Sequence, residues 1–105
     1  MSEYTDDIRK KISQIVRFPS YLQPAERGMP FGAPAAEALT YFLSLAKNMG
    51  FETHNYDNYA GEVIFGEGEE FAVLAHLDVV PAGSGWTHDP FGGEIDNAAR
   101  RIWGR

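Results

Sequence analysis

Apolar residues recur at helical spacing in the first half of the chain and in short runs in the second. Ile8, Ile12, Ile15 and Val16 stand at i, i+4, i+7 and i+8, one stripe of a helix, so residues 5–17 are predicted helical. Thr5 suits the N-cap, Asp6 and Asp7 suit the positive end of the helix dipole, and Pro19 ends the pattern. Residues 19–33 carry three prolines and no period, which predicts an irregular connection longer than the usual ~4–6 residues. A second helix is predicted over 34–49, with Pro34 at its first position and Leu39, Phe42, Leu43 and Ala46 as its buried stripe. Gly50 supplies the left-handed residue that commonly stops a helix.

Three strands are predicted next: Phe51–Tyr56, Glu62–Phe65 and Phe71–Val80. Asp57, Asn58 and Gly61 mark the first turn between them, Gly66 and Gly68 the second. The last run, FAVLAHLDVV, is apolar until its end, as a strand covered on both faces would be. Residues 81–94 read as a Gly/Pro loop, and Ile102–Trp103 as a possible start of another strand. The order helix, helix, strand, strand, strand predicts an α/β fold.

Composition narrows the function classes. The 105 residues are 44% hydrophobic and 23% charged with a formal charge of −6, an ordinary globular balance. Basic residues cluster only at Arg9, Lys10, Lys11 and at Arg100, Arg101, which argues against nucleic acid as a partner, because such binding rests on neutralising phosphates. There is no cysteine. Disulfides, thiolate catalysis and cysteine-ligated zinc are therefore excluded, and a metal site would need histidine and carboxylate. The start MSEYTDDIRKK lacks the apolar core of a signal peptide, and no run approaches ~18 apolar residues. No membrane partner and a cytoplasmic location are expected.

The chemistry concentrates in Ala75-His76-Leu77-Asp78-Val79-Val80-Pro81. Strand side chains alternate, so His76 and Asp78 point to one side and Leu77 to the other. A neutral imidazole ligates zinc well, and its second ring nitrogen usually donates to a carboxylate that fixes the tautomer. His-x-Asp alone is a weak motif, equally the pattern of a strand-end histidine satisfied by a nearby acid, because zinc needs three or four ligands.

The longer run FAVLAHLDVVPAGSGWTHDPFGGEI followed by RRIWGR resembles the first catalytic motif of the di-zinc metallopeptidases. That family includes aminoacylase, carboxypeptidase G, succinyl-diaminopimelate desuccinylase and the PepV-type dipeptidases. The family pattern is an apolar strand, H-x-D-V-V-P, a short loop, a Trp, a Pro-Phe pair and a G-R-G turn leading to Asp-Asp-Lys. It is met here by His76, Asp78, Val79, Val80, Pro81, Trp86, Pro90, Phe91, Gly104 and Arg105. Upstream, PFGAPAAEALTYFLSLAKNMGFETHNYDNYAGEVIFGEG is similar to the PepV-type branch in its PFG opening, its helix, its G-F and its N-Y-A-G turn.

The resemblance implies that His76 binds one of two zinc ions, with manganese or cobalt as alternative metals, and that Asp78 orients its ring. It implies a metal-bridging carboxylate and a glutamate general base further along the family's sequence than Arg105. It also implies an α/β/α sandwich with a mostly parallel sheet, interrupted by a lid domain. Residues 1–105 would then be the N-terminal part of a peptidase catalytic domain, without the lid or the remainder, and inactive alone. Its last strand would be an exposed apolar edge, prone to self-association.

Other candidates read as structural. His54 is expected on the surface, His88 in a solvent-facing loop, and Trp86 and Phe91 as aromatics packing the loop onto the domain. Glu67, Glu69 and Glu70 are expected in a solvated turn, and Gly83 and Gly85 in turns. Gly66-Glu67-Gly68 is no phosphate loop, since neither helix nor lysine follows. The leading expectation is a zinc-dependent dipeptidase acting on a small peptide. The alternatives are an N-acyl-amino-acid amidohydrolase of the same family, a non-catalytic module binding a partner through its open sheet edge, and a truncated product without a role.

Overall fold

A computed structural model describes residues 2–105. Helix α1 spans Glu3–Val16. Its N-cap is Ser2 and not Thr5: the Thr5 amide donates to Ser2 Oγ at 3.2 Å, which places Thr5 inside the first turn. Asp7 pairs with Lys11 one turn on. At the other end the amides of Arg17 and Phe18 bond back to Gln14 and Ile15, and Pro19 cannot continue the ladder.

Helix α2 spans Ala33–Asn48 with Gly32 as N-cap, so Pro34 stands second in the helix and not first. Gly50 adopts φ 95°. The Phe51 amide then reaches Ala46 O at 3.1 Å and the Gly50 amide Lys47 O at 3.0 Å, the double bond of a Schellman stop. Leu39, Leu43 and Ala46 are buried as the spacing predicts, joined by Ala36 and Ala38, whereas Phe42 is exposed. The small residues let other segments approach the helix closely.

Strands β1 (Glu52–Tyr56) and β2 (Ala60–Ile64) form an antiparallel hairpin, with Glu52 opposite Ile64 and Tyr56 opposite Ala60. Asp57 and Asn58 both take positive φ, 54° and 61°, and the Tyr59 amide bonds Tyr56 O at 2.9 Å. This is the tight turn whose twist matches a hairpin. The second strand therefore begins two residues earlier than expected, and Gly61 lies within it. A Cβ there would meet Leu39 Cδ1 at 2.8 Å and Leu43 Cδ2 at 3.0 Å. Gly61 serves the close approach of hairpin to α2, not the turn.

In this hairpin the Tyr56 hydroxyl donates to Glu62 Oε2 at 2.5 Å. The carboxylate that accepts this proton holds the phenol pKa above its usual 10.0. A pKa raised by folding contributes stability that is complete below the ordinary value and lost as pH rises through the raised one. Phenolate absorbance should therefore show one tyrosine ionising late. Tyr56→Phe should remove that late component; an unchanged titration would refute the assignment.

A short hairpin, β3 (Ile95–Asp96) and β4 (Arg101–Ile102), ends the architecture. The strand suspected at Ile102–Trp103 is realised one residue earlier, at Arg101–Ile102. Helix α1 presents Arg9, Ser13 and Val16 to this region, at i, i+4 and i+7. Arg9 bonds Asn97, Ser13 Oγ donates to Gly93 O at 2.5 Å, and Val16 lies against Gly104. The stripe expected to be buried is displaced as a result: Ile8 and Ile12 are exposed. Just beyond the C-terminal end of α1, Phe18 packs against Tyr41 of α2, ring centroids 5.3 Å apart.

The largest departure concerns Phe71–Val80, which forms no strand. Among the described residues no backbone–backbone hydrogen bond involves positions 65–88. A strand exists by its ladder, and nothing described runs alongside this segment. The fold is thus mixed α/β, with two helices and two separate two-stranded sheets. The expected α/β/α layering, which needed 71–80 as an interior strand, is not formed within these residues. No helix among them is long and apolar enough to cross a membrane.

Candidate metal-ligand site

The segment bearing His76 is held from below. Ser20, buried near the start of the α1–α2 connection, donates its hydroxyl to Leu77 O at 2.9 Å. Arg105 Nε reaches Val80 O at 3.3 Å, and the Arg105 amide bonds Pro90 O at 2.9 Å. Between these anchors burial alternates: Leu77 and Val79 are partly buried, His76, Asp78 and Val80 exposed. The period of two survives without a ladder because side chains of an extended backbone still alternate.

His76 and Asp78 are brought together. His76 Nδ1 lies 2.9 Å from the Asp78 backbone oxygen and 3.4 Å from Asp78 Oδ1. The nearer partner is the carbonyl, not the carboxylate expected from the spacing. A carbonyl can only accept, so Nδ1 must carry the proton. In the neutral ring Nε2 is then the unprotonated nitrogen, with its lone pair free. That is the tautomer a metal requires of an Nε2 ligand. The ring is 83% exposed, so this nitrogen is accessible.

The donor set fits a metal only in part. Among the described residues no group of three or more His, Cys, Asp or Glu could hold an ion. One imidazole with an orienting acceptor is a single ligand of the three or four that zinc requires.

The remaining candidates are structural, with one change of setting. His54 is exposed and pairs with Glu52 at 3.2 Å. Trp86 donates Nε1–H to Ala82 O at 2.8 Å, closing the 82–86 turn, in which Gly83 and Gly85 have φ 72° and 87°. Phe91 packs against Tyr21, centroids 6.0 Å apart. Glu67, Glu69 and Glu70 are exposed. His88, expected to face solvent, instead stacks on Trp103 at 3.9 Å and 13° and bonds Glu94 at 2.8 Å. The β3–β4 hairpin carries Trp103 over the loop, which the loop's own sequence does not signal. Sequence reasoning also missed Ser20 and Ser13. Their partners lie 57 and 80 residues away, and no local pattern encodes such a pairing.

No family model matches the chain. It is similar to the Beta-Ala-Xaa dipeptidase of Lactobacillus delbrueckii subsp. lactis, 46% identical over 103 residues, covering 95% of this chain and 22% of that protein. It is 41% identical over 103 residues to the putative dipeptidase YtjP of Bacillus subtilis, with the same shares of the two chains. A putative dipeptidase of Staphylococcus saprophyticus is 37% identical over 94 residues, 87% of this chain and 20% of that protein. The chain thus spans about a fifth of the length of the curated relatives it matches.

Proposed function

We propose that this chain, which is homologous to the PepV-type Beta-Ala-Xaa dipeptidases over 95% of its length, contributes part of the metal site of a zinc-dependent dipeptidase. The observation that carries the reading is the contact of His76 Nδ1 with Asp78 O at 2.9 Å, an acceptor-only partner that selects the tautomer leaving Nε2 free, on a segment anchored by Ser20.

In this reading His76 Nε2 ligates one zinc ion. Bound metal would polarise the scissile carbonyl and lower the pKa of a water. The chain's own task is to hold the imidazole. Asp78 fixes the ring through its carbonyl, with its carboxylate 3.4 Å away as a second acceptor. Ser20 fixes the peptide between them. Residues 1–105 then form the N-terminal part of the catalytic domain, and the substrate is a small dipeptide such as one beginning with β-alanine. The relatives' shared description as dipeptidases supports a peptide substrate over an N-acyl amino acid.

The reading has a direct consequence for the 105-residue chain. With one ligand it should show no dipeptide hydrolysis above background in zinc, manganese or cobalt. A panel of β-Ala-first dipeptides, α-dipeptides and N-acetyl amino acids tests this. Turnover that tracks added metal in the purified chain would overturn the requirement for further ligands. The same panel run on residues 1–105 joined to the remaining part of the L. delbrueckii dipeptidase should favour dipeptides; preferential release of acetate would move the assignment to amidohydrolysis.

A further inference from the structure

The two basic stretches of the sequence meet in the fold. Arg9 of α1 and Arg100 and Arg101 of the β3–β4 hairpin line one cleft of about 200 Å³, together with Thr5, Asn97 and Ile102. The Arg9–Asn97 bond that ties the two walls spans 88 positions of the chain. Three of the nine basic residues therefore line this cleft, and none of the fifteen acidic ones does. In a chain of formal charge −6 the cleft is a local inversion of sign.

A carboxylate close enough to neutralise the hairpin arginines is turned elsewhere. Asp96 stands opposite Arg101 in the strand register, yet its side chain accepts from the Ala99 amide at 2.9 Å. Neither Arg100 nor Arg101 pairs with a carboxylate among the described residues. Asp6, 3.2 Å from Arg9, offsets one of the three charges and leaves two. Two of the guanidiniums are also held in place. Arg9 is fixed by Asp6 and Asn97. Arg101 lies 5.9 Å from the centroid of the Trp103 ring, within cation–π reach. Arg100 has φ 56°, a place that glycine or asparagine fills most easily, so the turn itself does not call for arginine.

Like charges gathered in one cleft repel, and a bound anion relieves that repulsion. Guanidinium forks fit carboxylate and phosphate oxygens. A carboxylate has two coplanar oxygens and suits one fork. A phosphate group offers three acceptor oxygens pointing apart and a charge of about −1.5 to −2 at pH 7, which matches the two charges left in the cleft. We propose that this cleft binds a small tetrahedral oxyanion of the phosphate class, held by the forks of Arg100 and Arg101 in the field of Arg9. The site shares no residue with the His76 segment and does not rest on the dipeptidase reading.

The test is a titration of the 105-residue chain with inorganic phosphate, at constant ionic strength balanced by sodium chloride, followed by NMR. Expected are saturable shifts confined to the first turns of α1 and to residues 95–102, with a Kd of about 1 mM or tighter. Arg100→Gly should weaken binding at least about tenfold by removing one fork. Glycine suits φ 56°, so this variant should keep the circular dichroism of the unaltered chain. Arg100→Lys should lose less, about threefold, because it keeps the charge and loses the fork. A parallel titration with glycerol phosphate names the source: tighter binding of the ester supports a phosphorylated metabolite, tighter binding of inorganic phosphate the free anion. Residues 1–105 joined to the remaining part of the L. delbrueckii dipeptidase should bind equally well, because both walls of the cleft belong to this chain. A response that never saturates, or that sodium chloride alone reproduces, overturns the proposal. So does acetate binding as tightly as phosphate, an affinity indifferent to Arg100→Gly, or loss of binding in the joined protein.

Discussion

Replacing His76 by alanine, in residues 1–105 joined to the remaining part of the L. delbrueckii dipeptidase, should lower kcat/KM for a β-Ala dipeptide at least about a thousandfold. In the proposed function the substitution removes a metal ligand; a catalytic metal supplies several kcal/mol of charge stabilisation, and each 1.36 kcal/mol is tenfold in rate. Bound metal, measured by mass spectrometry, should fall by about one ion per chain. Asp78→Ala should cost less, about 10–100-fold, the range for groups that orient a ligand. It deletes the carboxylate 3.4 Å from Nδ1 but keeps the carbonyl at 2.9 Å. Equal losses in the two variants would show that the carboxylate, not the carbonyl, sets the ring. An active His76→Ala protein with full metal content would remove His76 from the site.

The largest effect on stability is expected at Gly93. Its φ is 63°, and a Cβ there would sit 2.2 Å from the Ser13 carbonyl oxygen and 2.9 Å from Ser13 Oγ. The clash is with backbone, so no rotamer change relieves it, and Ser13 Oγ already donates to Gly93 O. Gly93→Ala should destabilise the chain by about 2–4 kcal/mol, combining overpacking with a left-handed conformation unfavourable to L-residues. Urea unfolding with an unchanged m value would measure it. Gly66→Ala is the control. That glycine also has positive φ, 83°, but nothing lies within 4 Å of the added methyl, so only the conformational part, about 1–2 kcal/mol, should appear. Equal losses at the two sites would mean that α1 does not approach the 91–94 segment as closely as described.

The elements that could be read from the chain are those whose cause is local. Helix α2 follows from Leu39, Leu43 and Ala46 at helical spacing and from Gly50 in the left-handed conformation. The first hairpin follows from Asp57-Asn58. The pairing of His76 with Asp78 follows from the alternation of extended backbone, and the longer motif around them led to the dipeptidase relatives. The N-cap expected at Thr5 lies instead at Ser2, because the helical ladder begins one turn earlier than the apolar stripe indicates.

What depended on distant partners was not legible. The exposure of Ile8 and Ile12 arises because α1 turns Arg9, Ser13 and Val16 toward the β3–β4 hairpin, some eighty residues away. His88 is drawn onto Trp103 by that same hairpin. The run 71–80 has the composition of a buried strand, but composition states only what surroundings a segment favours. Whether it is a strand depends on hydrogen-bonding neighbours, and the described residues supply none. By itself, then, the sequence determined the two helices, the first turn, the shared side of His76 and Asp78, and the kinship to dipeptidases, because each rests on spacing within a few residues or on a contiguous motif. Only the tertiary structure decided which acceptor holds the His76 ring, which face of α1 is covered, and that 71–80 stands open, because those outcomes require groups far apart in the chain to meet, or to fail to meet, in space.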